Sequence, residues 1–316
     1  MNRGPVAYID LSSIAHNLRT VRGIVKNRPV IAVVKADAYG HGAIEASKLL
    51  VKEGVSHLAV AYTGEAAELR DSGINVPIVV LFDRGETKDY FDLDLIPVIY
   101  SMDTAASLSA EADKRHVVKE VYAKVDTGMG RIGFYGDHAV RDLMKISEMP
   151  GLKIDGLLSH FSEADLSDRS YAISQLERFK AIQSNLSEKL GRSVFSHVAN
   201  SAAVLSFQDA HFDAVRPGIM LYGYSPFCDR RIVANENSGI TLIPAMKVKT
   251  RLLDIRELPA GTPISYGRTF VTNRRSRIGV IPMGYADVYS RALSNNSEVL
   301  VRGKQAPVLE GSAWML

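Results

Sequence analysis

The chain holds a single cysteine, Cys228, among 316 residues. One thiol excludes an intramolecular disulfide and a cysteine-built zinc cage. Its neighbours, Ser225-Pro226-Phe227 and Asp229, read as a loop, so the thiol is structural or incidental. No unbroken apolar run approaches the roughly 18 residues that span a bilayer. The opening Met1-Asn2-Arg3-Gly4-Pro5 lacks the apolar stretch of a secretion signal. The cytoplasm is therefore the expected compartment, with no membrane partner. A basic tract is missing too: the net charge is +3, and Arg274, Arg275 and Arg277 form the densest cluster, which a solvated loop explains. Nucleic acid gains no support as a partner, and no metal is expected.

What is present is ordinary for a soluble globular protein, with 46% apolar and 23% charged residues. Between residues 1 and about 225, short apolar runs alternate with amphipathic stretches. The strand candidates are 30–35, 58–62, 78–82, 97–100, 121–126, 154–161, 196–200 and 214–221; the helical ones include 43–52, 65–71, 105–114, 139–147 and 171–190. In the last, Ile173, Leu176, Phe179, Ile182 and Leu186 recur at helical spacing, and Gly191 supplies a C-cap. About eight β-then-α units predict a closed (β/α)8 barrel over 1–235. An open doubly wound sheet would want a G-x-G-x-x-G turn after the first strand, and none is there. From 236 to 316 the runs 246–255, 279–282 and 299–301 alternate like half-buried antiparallel strands, with turns at Pro259-Ala260-Gly261 and Arg302-Gly303-Lys304. This predicts a second, mostly β domain.

A barrel delivers every strand's carboxyl end to one face. On that rim fall Lys35 and Tyr39, then Lys124, Asp126 and Arg131, then Ser159 and His160. His197, Asn200 and Ser201 follow, and last Arg216, Gly218 and Ile219. Singly each has a bland reading: Lys35 snorkels at a strand end, His160 is a structural histidine, Asn200-Ser201 is an N-cap. Together they describe one site. A partly desolvated lysine has a lowered pKa and can form a Schiff base with an aldehyde cofactor. Ser201 at a helix start, beside Arg216-Pro217-Gly218-Ile219, matches the usual barrel phosphate site. A reactive lysine, a phosphate cradle and a histidine able to lie on a ring suggest pyridoxal 5′-phosphate.

Six motifs, in order, carry a resemblance to alanine racemases: Val-Val-Lys35-Ala-Asp-Ala-Tyr39-Gly-His-Gly, Lys124-Val-Asp-Thr-Gly-Met-Gly-Arg131-Ile-Gly, His197-Val-Ala-Asn-Ser, Val-Arg216-Pro-Gly-Ile, Ile264-Ser-Tyr266-Gly-Arg-Thr-Phe and Gly284-Tyr285-Ala-Asp287. The match runs from Ala7 to about Leu309. It implies a fold-type III pyridoxal-phosphate enzyme, a head-to-tail homodimer, and D-alanine made for peptidoglycan. By that resemblance Lys35 holds the cofactor and is one racemisation base. Tyr266 is the opposite base, reaching the partner subunit's site. Tyr39, Ser201, Gly218 and Ile219 hold the phosphate, His160 packs on the pyridine ring, and Asn200 lies near its ring oxygen. Arg216, supported by His197, faces the ring nitrogen. Arg131 contacts the phenolic oxygen, positions Tyr266 and, with Tyr285, receives substrate. Lys124 matches a lysine that some members carbamylate.

Inverting Cα needs a proton removed on one face and returned on the other, so two bases flank it. Arginine at the ring nitrogen disfavours protonation there, which suppresses transamination. A fold-type III decarboxylase would place a carboxylate at Arg216 and ranks lower. A racemase of another small amino acid, or an inactive cofactor-binding pseudoenzyme, is the alternative. Family members continue after Pro-Val with a segment like Gly-Arg-Val-Cys-Met-Asp and later carry a phosphate-binding tyrosine. Here Leu309 is followed by Glu310-Gly-Ser-Ala-Trp-Met-Leu316. Codons for those seven residues, regrouped with one preceding G, can encode Gly-Arg-Val-Cys-Met-Asp-Ala. The expectation is a frame change after Leu309, giving a truncated β domain with poor stability, weak dimerisation and low activity.

Overall fold

The computed structural model describes residues 4–26, 28–83, 85–227, 240–287 and 289–309. Cys228, the expected boundary at 235/236 and residues 310–316 lie outside these. Two compact units emerge: Asp10–Ala245, and a second that joins the amino-terminal strand to the chain from Met246 onward.

The chain opens with β1 (Val6–Ile9). The first unit's strands are β2 (Ile31–Val33), β3 (His57–Val60), β4 (Ile78–Val80), β5 (Leu95–Ile99), β6 (Lys119–Asp126), β7 (Phe134–Tyr135), β8 (Leu152–Leu158) and β9 (Phe195–His197). They run parallel in the order β2-β3-β4-β5-β6-β8-β9, with the short β7 off the path on β6. The eighth stave is residues 213–217. Val215 N donates to Pro29 O (3.1 Å), and Ile31 N to Val215 O (2.9 Å). On its other edge Arg216 N donates to Ala199 O (2.8 Å) and Asp213 N to Ser196 O (3.0 Å). The parallel barrel is thereby closed.

Several expected strands stop short of their apolar runs, and two of them show why. The run 214–221 pairs only as far as Pro217, whose carbonyl accepts Val33 N (3.1 Å), because Pro217 has no N–H to give and Ile219–Tyr222 then turns into a 3-10 helix. The run 30–35 stops at Val33, for a reason given below. Ile31, Val33, Ala59, Val79, Val98, Tyr122 and Leu158 fill the interior. Gly156 makes that possible, since a Cβ there would overlap the Tyr122 ring.

The helix Leu11–Val25 is an element that the strand-and-helix reading passed over. Asp10 caps it by accepting Ser12 N (2.9 Å), and Ile14, Leu18, Val21 and Val25 are fully buried along one face. Each such burial stabilises by about 1.5–3 kcal/mol. Asn17, on the same helix, is buried but satisfied: its amide donates to Leu221 O (3.0 Å) and Ile243 O (2.9 Å) and accepts Ile243 N (2.8 Å). Ser170–Leu190 ends at Gly191, whose φ of 65° is the left-handed C-cap that the sequence signals.

The second unit is antiparallel throughout its described strands. β10 (Met246–Lys249) pairs with β1, β11 (Asp254–Leu258) with β14 (Ser276–Val280), and β12 (Pro263–Ile264) with β13 (Phe270–Val271). The expected single strand 246–255 is thus two, because its halves serve different partners. β15 (Glu298–Val301) and β16 (Lys304–Pro307) form a hairpin. Its two turn residues, Arg302 and Gly303, have φ of 50° and 78°, the positive pair that matches strand twist.

Candidate active site

Lys35 stands at the carboxyl end of β2, but not in a glycine-led loop. The four residues after it, Ala36, Asp37, Ala38 and Tyr39, have φ of 52°, 52°, 54° and 56°. This is one turn of left-handed helix without a glycine. Each L-residue there costs about 1–2 kcal/mol, so the turn persists only because its surroundings fix it. Ala38 N donates to Val34 O (2.9 Å), Ala43 N to Asp37 Oδ1 (2.6 Å) and Ala36 N to Glu65 Oε1 (2.6 Å). His41 Nδ1 lies 3.0 Å from both Ala38 O and Tyr39 O, so that nitrogen carries the proton. The turn aims Lys35 and Tyr39 from one short segment.

Three cations meet on one ring. Lys35 Nζ lies 5.2 Å, Lys124 Nζ 5.1 Å and Arg131 Cζ 5.1 Å from the centroid of Phe82. Burial, then Arg131, lowers the Lys35 pKa, with Glu65 opposing. Burial and then Arg131 and Arg216 push Lys124 down to about 7. Arg131 is carried by a loop wrapped on Asp126, whose Oδ1 accepts Gly128 N (2.8 Å) and Met129 N (2.7 Å) and whose Oδ2 accepts Arg131 N (2.8 Å). Burial raises the Asp126 pKa, but these amides, with that of Gly130, outweigh it and lower the value. Both neighbouring carboxylates, Glu65 and Asp126, are thus turned onto backbone amides. The rim presents positive charge.

Arg216 is buried at 4% exposure. Its Nη2 donates to Ser159 O (2.5 Å), and its Nη1 to His197 O (2.6 Å) and His197 Nδ1 (2.5 Å). A guanidinium only donates, so His197 accepts through Nδ1 and carries its proton on Nε2, a buried atom with no partner. Burial pushes Arg216 down to about 9, which leaves it cationic at neutral pH. His160 is held neutral: burial, then Arg216, Lys124, Arg131 and Lys35, puts its pKa well below the ordinary value.

Ser201 opens the helix Ser201–Ser206, and Asn200 caps it by accepting Ala203 N at 3.0 Å. The bland N-cap reading of Asn200 therefore holds for its Oδ1. Ser201 Oγ accepts Gly218 N (2.9 Å) and Met220 N (3.4 Å), which leaves its own proton free for an anion. Gly218 leaves room for the Tyr39 hydroxyl, which a Cβ there would meet at 2.6 Å. Burial raises the Tyr39 pKa, so the phenol stays a donor. Ile219 follows, 39% exposed.

The structure thus brings Lys35, Lys124 and Arg131 together, Arg216 with His197, and Tyr39 with Gly218 and Ser201. Tyr266 and Tyr285 belong to the other unit, each in a 3-10 turn and 74% and 43% exposed. Sequence reasoning gave no role to Phe82, Glu65 or His41. An aromatic ending strand run 78–82 was the available hint for the first. Among the described residues no group of His, Cys, Asp or Glu could hold a metal, and no helix is long and apolar enough to cross a membrane.

A parallel barrel with a desolvated lysine on its cationic rim, followed along the chain by a β unit, is the architecture of a class of barrel enzymes. The family model "Alanine racemase, N-terminal domain" matches residues 9–226, and "Alanine racemase, C-terminal domain" matches 245–311. The chain belongs to the alanine racemase family. It is 48% identical to an alanine racemase of Thermodesulfovibrio yellowstonii over 313 residues, 98% of this chain and 81% of that one. The alanine racemase structure from Clostridium difficile 630 superposes with a TM-score of 0.89 at 32% identity, over 100% of this chain and 82% of that one. An alanine racemase from Bartonella henselae, solved with covalently bound pyridoxal phosphate, gives a TM-score of 0.86 at 30% identity, over 99% and 84% of the two chains. These matches lend no support to a change of frame after Leu309.

Proposed function

We propose that this chain interconverts L-alanine and D-alanine, with pyridoxal 5′-phosphate as its cofactor and Lys35 as the residue that carries it. The observation behind the reading is the Lys35 amine at the barrel rim, its ammonium disfavoured by burial and by Arg131, beside an anion-ready cradle. When bound, the cofactor supplies an electron sink that acidifies the Cα proton of an amino acid.

The residues fit that group. Ser201 Oγ has a spare proton, Tyr39 a protonated phenol and Gly218 a bare backbone, which suit a phosphate; Ile219 follows in the same cradle. His160 is neutral and lies among the rim cations, so it can stack on a ring without adding charge. Asn200 keeps its amide nitrogen for the ring oxygen. Arg216, anchored on Ser159 and His197, would face the ring nitrogen and oppose a proton there. That restraint limits the charge drawn from Cα and favours return of a proton over transamination. Arg131 would receive the substrate carboxylate, Tyr285 is a further candidate contact for substrate, and Lys124, once carbamylated, would be the anion that holds Arg131.

Lys35 then moves the proton on one face of Cα, and Tyr266 on the other. The Tyr266 side chain is 74% exposed, and Val248, Ile255, Val271 and Leu300 of the same unit are exposed too. Both points support a homodimer in which Tyr266 serves the second copy's site. The reaction belongs in the cytoplasm, supplying D-alanine for peptidoglycan.

The test is purification with cofactor, a coupled assay for D-alanine formed from L-alanine, and borohydride reduction followed by peptide mapping. Racemisation, with the reduced cofactor on the Lys35 peptide, is the expected outcome. A label on another peptide, or cofactor binding without turnover, overturns the reading.

A further inference from the structure

Glu65 is the third residue of the helix Thr63–Asp71, a position where glutamate ordinarily reaches back to cap its own helix. Here that bond is the long one, Tyr62 N to Oε2 at 3.2 Å. The two short ones leave the helix. Ala61 N donates to Oε2 at 2.6 Å, and Ala36 N donates to Oε1 at 2.6 Å from 29 residues earlier in the chain. One half-buried carboxylate therefore ties the loop after β3 to the first residue of the left-handed turn after β2.

Ala36 is the residue directly after Lys35, and it begins the run of positive φ. The far end of the turn has its own ties, His41 to Ala38 O and Tyr39 O, and Asp37 to Ala43 N. The near end has Glu65. The groups facing Lys35 are Arg131 and Glu65, with Lys124 on the same Phe82 ring and His160 close enough to feel its charge. Among the groups acting on the Lys35 amine, Glu65 is the one that favours its charged form.

We propose that Glu65 is the positioning residue of the Lys35 amine, clasping the strained turn that aims it and setting the charge it meets. The inference rests on the reading of Lys35 as the reactive lysine, but its first readout needs neither cofactor nor substrate. Trace labelling of the cofactor-free full chain with acetic anhydride, read on the Lys35 peptide by mass spectrometry, gives the pH midpoint of that amine. In Glu65→Gln, which keeps volume and removes charge, the midpoint should fall by roughly 1 pH unit. Cofactor affinity, followed by the visible band of the bound cofactor, should weaken by about tenfold, as expected for one lost hydrogen bond to a charged group.

Glu65→Asp separates the two roles and serves if Glu65→Gln does not fold. It keeps the charge but is one methylene short of spanning both loops. It should keep the wild-type midpoint and still lose cofactor affinity. An unchanged midpoint in Glu65→Gln, or wild-type midpoint and affinity together in Glu65→Asp, overturns the proposal. Neither result touches the racemase reading, which stands or falls on wild-type turnover.

Discussion

Replacing Lys124 by methionine should make the protein more stable and the racemase slower. Lys124 is 4% exposed, and burial, then Arg131 and Arg216, lowers its pKa from the ordinary 10.5 to about 7. At about 1.4 kcal/mol per pH unit, that fall corresponds to a folding penalty of about 5 kcal/mol. The Phe82 ring 5.1 Å away returns part of it, by about 0.5–1 kcal/mol for a cation on a ring. Methionine has similar length, no charge and an adaptable shape. A net gain of roughly 2–5 kcal/mol is expected for the cofactor-free protein.

The sign fixes the pH window. The folded state holds the neutral amine more readily than the unfolded chain does, so between about 7 and 10.5 the unfolded state binds more protons. Wild-type stability therefore rises across that window, and the penalty is complete only below its lower end. Urea unfolding in carbonate-free buffer, from about pH 6 to about pH 10, should show the Lys124→Met advantage shrink with rising pH. An advantage that is absent, or the same at every pH, refutes the reasoning. Bicarbonate supplies a second arm. A neutral amine adds to carbon dioxide, forming an N–C bond and releasing a proton, and the anion produced would sit near Arg131 and Arg216. Wild type should gain stability from bicarbonate, and Lys124→Met should not. Activity should fall in the variant, which cannot form the carbamate anion proposed to hold Arg131.

Asp126→Asn leaves one oxygen for three amides, so urea unfolding at neutral pH should show a loss of about 1.5–3 kcal/mol, and KM should rise as Arg131 moves. The Asp126 pKa is lowered, so its contribution is complete above the ordinary carboxylate value of 3.8 and fades as pH falls through the lower folded value; the gap to the variant should close only there. Gly218→Ala puts a Cβ 2.6 Å from the Tyr39 hydroxyl. Cofactor titration should show about tenfold weaker binding, roughly 1.4 kcal/mol, and unchanged affinity would remove Tyr39 from the cradle. Arg216→Glu sets an acid against the carbonyls of Ser159 and His197, where the guanidinium now donates. It should lose about 3–5 kcal/mol of stability and, per turnover, release more pyruvate from alanine; an unchanged product ratio counts against Arg216 as the brake on transamination.

What the sequence made legible follows from where its signals are local. The barrel strands announce themselves because β2 and β4 are short runs of branched residues buried on both faces. Gly191 and Arg302-Gly303 carry their backbone demands in their own chemistry. The left-handed turn does not. Ala-Asp-Ala-Tyr has no glycine to mark positive φ, and what holds it lies outside it, in Glu65 and His41. Phe82 read as a strand end, because its meeting with three cations exists only once the alternate staves β2, β4 and β6 share one rim. The split of 246–255 was likewise invisible, since β10 pairs with a strand at the other end of the chain. The helix Leu11–Val25 is a different case. Ile14, Leu18, Val21 and Val25 are spaced for it, and Asp10 caps it, so the signal was there to read.

Strain and charge are concentrated at the same few residues, and one cause accounts for both. On the proposed function, a rim that receives a phosphate, a ring oxygen and a carboxylate needs unneutralised cations, yet cations packed together repel. The fold answers by keeping the nearby acids off them: Glu65 and Asp126 spend their oxygens on backbone amides and so shape loops without forming ion pairs with Lys35, Lys124 or Arg131. Pairing either acid with a lysine would raise that amine's pKa and remove the nucleophile. The same carboxylates then stabilise the backbone that the cations ride on, including four residues in a conformation that they would not adopt alone. A lysine at a strand end becomes reactive here because the acids beside it are held on backbone amides, short of direct pairing, and fix its place.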